Sequence, residues 1–146
     1  HAQWDWAVKN NLREADSFLH ENIFPIMESG HLRLVNEEGE LFPGFSVRIC
    51  YGHTPGLMIP VIKFKNKTIV YTGDLIPTVA HLPVIWNMSY DIESLKTIEE
   101  KEKLLNEALE GNYILVFQHD EHYECCTLEM TPKGIRAKDK FDFSRI

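Results

Sequence analysis

Three segments of this chain share one grammar: FSVRICYGH, TIVYTGD and YILVFQH each run through β-branched and aromatic residues, then deliver one metal-capable side chain just past the expected strand end. Those side chains are His53, Asp74 and His119. A hairpin-like return through LMIPVIKF separates the first segment from the second, and a helical pattern, ESLKTIEEKEKLLNEALEGN, separates the second from the third. Both connections bring the chain back in the same direction. The three ends are therefore expected along one edge of one sheet, where open α/β folds place their ligand sites. Two neutral imidazoles and a carboxylate make a donor set for zinc or a similar divalent ion, and the carboxylate has two oxygens with which to bridge two ions. Gly52 and Gly73 precede two of these residues, where the lack of a Cβ permits a sharp turn and close approach. Thr54 and Pro55 stiffen the turn after His53. Taken singly, a histidine at a strand end is most often a hydrogen-bonded loop residue; the repeated context is what favours metal.

The rest of the chain reads around this edge. Trp4, Val8, Leu12, Ala15 and Leu19 recur at three- and four-residue intervals, with Lys9, Arg13, Glu14 and Asp16 between them, and predict one amphipathic helix ending before Pro25. HLRLVN is a candidate strand, EEGELFPG a turn and edge, and Pro60 predicts that LMIPVIKF is an edge or bulged strand. The long helix puts Leu95, Ile98, Leu104, Leu105, Ala108 and Leu109 on one side and stops at Gly111. Its interleaved acids and bases read as a solvated face with modest pairing energy. CTLEMTPKGIRA predicts a closing hairpin.

Composition excludes several classes. The 146 residues, 44% hydrophobic and 25% charged, suit one soluble domain, and 15 basic against 22 acidic side chains leave no phosphate-binding stripe. Neither nucleic acid nor membrane is an expected partner, since no run of about 18 apolar residues appears, and a cytoplasmic location is expected in the absence of a signal-peptide pattern. Cys50, Cys125 and Cys126 form no CxxC and are expected as small buried hydrophobes.

The stretches GHTPG, TGDLIPT and FQHD, in this order and spacing, resemble the second half of a metallo-β-lactamase-fold hydrolase of the lactonase-like and glyoxalase-like group. The likeness extends over nearly the whole chain, including the Trp-rich opening WDWAVKNN. The resemblance implies a mixed sheet with flanking helices, one half of an αβ/βα sandwich, and a dinuclear centre, zinc first among the candidate metals. His53 would bind the first ion, Asp74 would bridge the two and serve catalysis, and His119 would complete the second. The implied chemistry is attack of an activated water on an ester, lactone, thioester or phosphoester. His81, seven positions after Asp74 in GDLIPTVAHLPVIW, and Thr54, next to His53, would contact substrate or orient a ligand; the alternative for His81, beside Leu82 and Pro83 in an apolar stretch, is a half-buried packing residue.

The family's other ligands lie in an HxHxDH motif, and the histidines here, at positions 1, 20, 31, 53, 81, 119 and 122, never stand two apart. The chain, residues 1–146, is therefore read as a single partial domain, the C-terminal half of a larger hydrolase, with partial or no metal occupancy and doubtful activity alone. The alternative is a non-catalytic scaffold or binding module that keeps the fold. An uncovered apolar sheet face predicts self-association.

Overall fold

A computed structural model describes residues 1–9 and 12–146, in two compact units, His1–Glu37 and Glu38–Ile146. The first unit does not form the single helix its periodicity predicts. It has α1, Ala2–Val8, and α2, His20–Glu28, with turns over residues 12–17 between them, while Asn10 and Asn11 lie outside the described residues. The apolar stripe fails physically because Leu12 and Leu19 are exposed while Glu14 is buried, accepting a hydrogen bond from Trp6 Nε1. Pro25 lies inside α2 rather than after it. His20 stacks on Phe24, and the Ser29 N–H donates to the Pro25 carbonyl, so the last turn closes around the ring. HLRLVN forms no strand.

The second unit is one seven-stranded sheet in sequence order: β1 Gly39–Phe42, β2 Phe45–Cys50, β3 Leu57–Phe64, β4 Lys67–Tyr71, β5 Ile114–Val116, β6 Cys125–Thr131 and β7 Gly134–Phe141. Only β4 and β5 pair in parallel, because only they are joined by a helical crossover, α3, Ser94–Glu110. The sheet is thus mixed, as expected. On one face Ile59, Val61, Val70, Leu115 and Leu128 form the core with Leu104, Leu105 and Ala108 of α3. Each such leucine contributes about 1.5–3 kcal/mol on burial. Leu95, assigned to the apolar side of the helix, is 79% exposed instead.

Pro60 corrects a second expectation, since β3 lies inside the sheet and pairs with β2 without a bulge. The Lys63 N–H donates to the Gly44 carbonyl, so odd-numbered residues of β3 bond toward β2 and even-numbered ones toward β4. The β3–β4 ladder ends at Val61 opposite Val70, one pair before Pro60 would need its missing N–H. Among the described residues no helix is long and apolar enough to cross a membrane.

Candidate metal centre

β2 and β4 both run antiparallel to β3, and β5 runs parallel to β4, so all three carboxyl ends open on one sheet edge. β2 ends at Cys50, β4 at Tyr71 and β5 at Val116, which puts His53, Asp74 and His119 each three residues past its strand. Asp74 sits between the imidazoles. Its Oδ1 is 2.9 Å from His119 Nε2 and its Oδ2 is 3.7 Å from His53 Nε2, so each carboxylate oxygen faces a different ring. His53 is mostly buried and His119 half exposed.

The two glycines serve different needs. Gly73 adopts φ +49°, a left-handed conformation that turns β4 into the single 3₁₀ turn carrying Asp74. Gly52 permits contact, because a Cβ there would overlap the Thr97 backbone nitrogen at the start of α3.

Asp91 was not legible as a site residue. It is 5% exposed, in the turn before α3, and its Oδ1 lies 2.8 Å from His53 Nδ1. A carboxylate only accepts, so Nδ1 carries the proton and Nε2 is the nitrogen presented toward Asp74. No sequence signal announces a pairing across 38 positions. Asp120, the last residue of FQHD, ties the His119 loop down. It accepts from the backbone N–H groups of His122, Tyr123 and Val79, while the His119 N–H donates to the Pro77 carbonyl. Burial works to raise the Asp120 carboxyl, but those N–H groups outweigh it and hold its pKa below the usual range.

His81 and Thr54 are placed differently. The His81 ring pairs with Thr78 Oγ1 at 2.8 Å rather than with His53, Asp74 or His119, and burial followed by the charge of Lys101 lowers its pKa. Thr54 is buried in the turn that follows His53, where its carbonyl accepts from the Leu57 N–H. All three cysteines are buried, as expected; burial pushes Cys50 and Cys126 up to about 12 and Cys125 to about 11, so none is a thiolate nucleophile.

The charged pattern of α3 is not the plain solvated face that its spacing suggests. Lys101 is 1% exposed, Glu100 accepts from the Tyr51 and Gly52 N–H groups, and Glu107 pairs with Arg48 of β2. Alternation along the helix cannot show that the chain folds back over it.

Among the described residues no three His, Cys, Asp or Glu side chains converge as a ready metal cage. Asp74 instead makes two pairs, each offering one imidazole nitrogen and one carboxylate oxygen, whereas a closed zinc site takes four donors. The donor chemistry still fits. Asp91 Oδ2 is buried with no hydrogen-bond partner among the described residues, and a buried carboxylate so placed would be stabilised by positive charge on the ring it holds, which a cation on Nε2 would supply.

The family model of the metallo-beta-lactamase superfamily matches residues 2–119. A probable metal-dependent hydrolase from Staphylococcus aureus superposes with a TM-score of 0.79 at 25% identity, over 95% of this chain and 50% of that one. AidC, a dizinc quorum-quenching lactonase, gives 0.72 at 19% identity, over 94% and 48%. The hydrolase AbOPH gives 0.73 at 20% identity, over 93% and 50%. The chain thus spans about half the length of these solved structures. No curated protein matches it significantly.

Proposed function

This chain belongs to the metallo-beta-lactamase superfamily, a family of metal-dependent hydrolases, and on that premise we propose that it supplies one side of a dinuclear centre hydrolysing an ester, lactone, thioester or phosphoester. The observation that carries the reading is Asp74, whose two oxygens face the Nε2 atoms of His53 and His119 at one sheet edge. Divalent ions bound there, zinc first among them, would supply Lewis acidity and an activated water. The chain's own residues orient the donors. Asp91 holds the proton on His53 Nδ1, Asp120 and the Pro77 carbonyl fix the backbone beside His119, and Asp74 sets the spacing between the rings.

Metal content is the test. Protein at equilibrium with free Zn²⁺ is expected to bind it, weakly because each pair supplies only two donors, and to lose that binding in His53→Ala and His119→Ala, with any hydrolysis in a panel of the four bond types following occupancy. Equal zinc in all three would instead favour the second reading, a scaffold that keeps the fold without a metal site. That alternative draws on the lack of a three-donor cluster among the described residues.

A partner for the sheet belongs to the same reading. The register puts Phe42, Met58, Phe64 and Tyr71 on the face opposite α3, where they are 61%, 45%, 46% and 36% exposed. We propose that two copies cover this face. Solution scattering at high micromolar concentration should then show a dimer that Phe64→Glu weakens, and a strictly monomeric species would rule it out.

A further inference from the structure

We infer that Glu100 is a positioning residue for His53, acting through the backbone of the two residues before it. Four backbone polar groups of Tyr51, Gly52 and His53 are bonded to Ile92 and Glu93, just before α3, and to Glu100 within it. Glu100 Oε1 accepts from the Tyr51 N–H at 2.8 Å and Oε2 from the Gly52 N–H at 3.0 Å. The Glu93 N–H donates to the Gly52 carbonyl at 2.8 Å and the Ile92 N–H to the His53 carbonyl at 3.1 Å. Gly52 rests against Thr97 so closely that no side chain fits between them. The bonds at Gly52 and His53 carbonyls are supplied by the backbone, which any sequence provides. Those at Tyr51 and Gly52 depend on one side chain, and a carboxylate gripping two successive N–H groups makes charge-assisted bonds, stronger than neutral ones and fixed in direction.

The geometry gives Glu100 a specific consequence. Asp91 fixes the ring of His53 from Nδ1, but a ring held at one atom still swings if its backbone moves. Glu100, two turns into α3, holds the backbone of the two residues before this histidine, so helix and turn together define both the Cα and the ring. A rigid metal donor needs both, because a ligand held about 0.5 Å out of place loses most of its preorganisation. Without Glu100, Tyr51 and Gly52 lose their acceptors and β2 frays at the end that His53 extends.

The inference rests on His53 being a metal ligand, and the experiment separates the two. Zn²⁺ affinity by chelator competition, the ¹⁵N shifts of the His53 imidazole and the hydrogen exchange of the Tyr51 and Gly52 amides are measured in wild type, Glu100→Ala, Glu100→Gln and His53→Ala. Glu100→Ala should speed exchange at both amides, broaden the His53 ring signals and weaken Zn²⁺ binding by about 10–100-fold, the usual cost of losing an outer-shell partner. Glu100→Gln keeps one carbonyl oxygen, so it should restore one of the two amides and part of the affinity. A Glu100→Ala protein with faster amides but unchanged ring shifts and affinity has only a structural role at this position and overturns the inference, as do amides that exchange no faster. If His53→Ala itself leaves Zn²⁺ affinity unchanged, the metal reading fails first.

Discussion

In the intact hydrolase proposed above, replacing Asp74 by Asn is expected to abolish hydrolysis and to remove at least one metal ion while leaving the protein folded. The substitution keeps size and shape but exchanges one carboxylate oxygen for an amide nitrogen, which cannot ligate a cation, and deletes the negative charge that would offset the two proposed ions. Losing a partner that merely orients a ligand costs about 10–100-fold in metal affinity. Loss of the donor itself exceeds that, and here one donor serves two pairs at once, with Oδ1 toward His119 and Oδ2 toward His53. Stability changes little by comparison, since the His119 pair is half open to solvent, where such pairs contribute about 0–1 kcal/mol, and the His53 contact is long at 3.7 Å. Elemental analysis, initial rates and a thermal melt on the same sample decide the matter. A folded Asp74→Asn protein with full metal and undiminished turnover defeats the bridging role.

That prediction rests on a part of the structure the sequence states openly. The edge is legible because β2, β4 and β5 are short apolar runs closed by Gly or a polar residue, a pattern with few alternative readings, and because the direction of each strand follows from the length of its connection. The first forty residues were less legible. Leu12 and Leu19 keep helical spacing, yet both are exposed, so the spacing reflects no packing. Pro60 misled because the rule against proline in central strands concerns an N–H that the ladder needs, and the ladder stops just before it does. Asp91 and Glu100 were hidden for a different reason: each acts on His53 or its neighbours from 38 to 49 positions away, a distance over which no local pattern carries information. Lys101 was hidden by its company, a lysine among acids and lysines on a helix whose exposed positions look the same as its buried one.

Lys101 also carries the largest expected effect on stability. Its three N–H groups are shared among four acceptors, the carbonyls of His81, Pro83 and Trp86 at 3.1, 3.1 and 2.7 Å and Asn87 Oδ1 at 3.2 Å, so one cation organises the loop from His81 to Asn87. Lys101→Met keeps an apolar stem and removes those bonds. Bonds to a charged donor contribute about 1.5–3 kcal/mol each and carbonyls left buried cost about 1–3 kcal/mol more, while relief of the ammonium's own desolvation returns part of this. The loop is not sealed, since Trp86 is 60% exposed, so the net loss is expected at about 2–4 kcal/mol. The sign with pH follows from burial, which pulls Lys101 down to about 8 against the opposing charge of Asp91, below the roughly 10.4 of an unfolded lysine. Between those values the unfolded chain binds more protons than the folded one, so stability from this residue rises with pH across that window and the desolvation penalty is complete below it. Urea titrations of wild type and Lys101→Met at pH 7 and pH 10 should therefore show a gap that widens at the higher pH. A gap under about 1 kcal/mol that does not change with pH would mean that the loop finds other donors and that the buried ammonium is not what holds it.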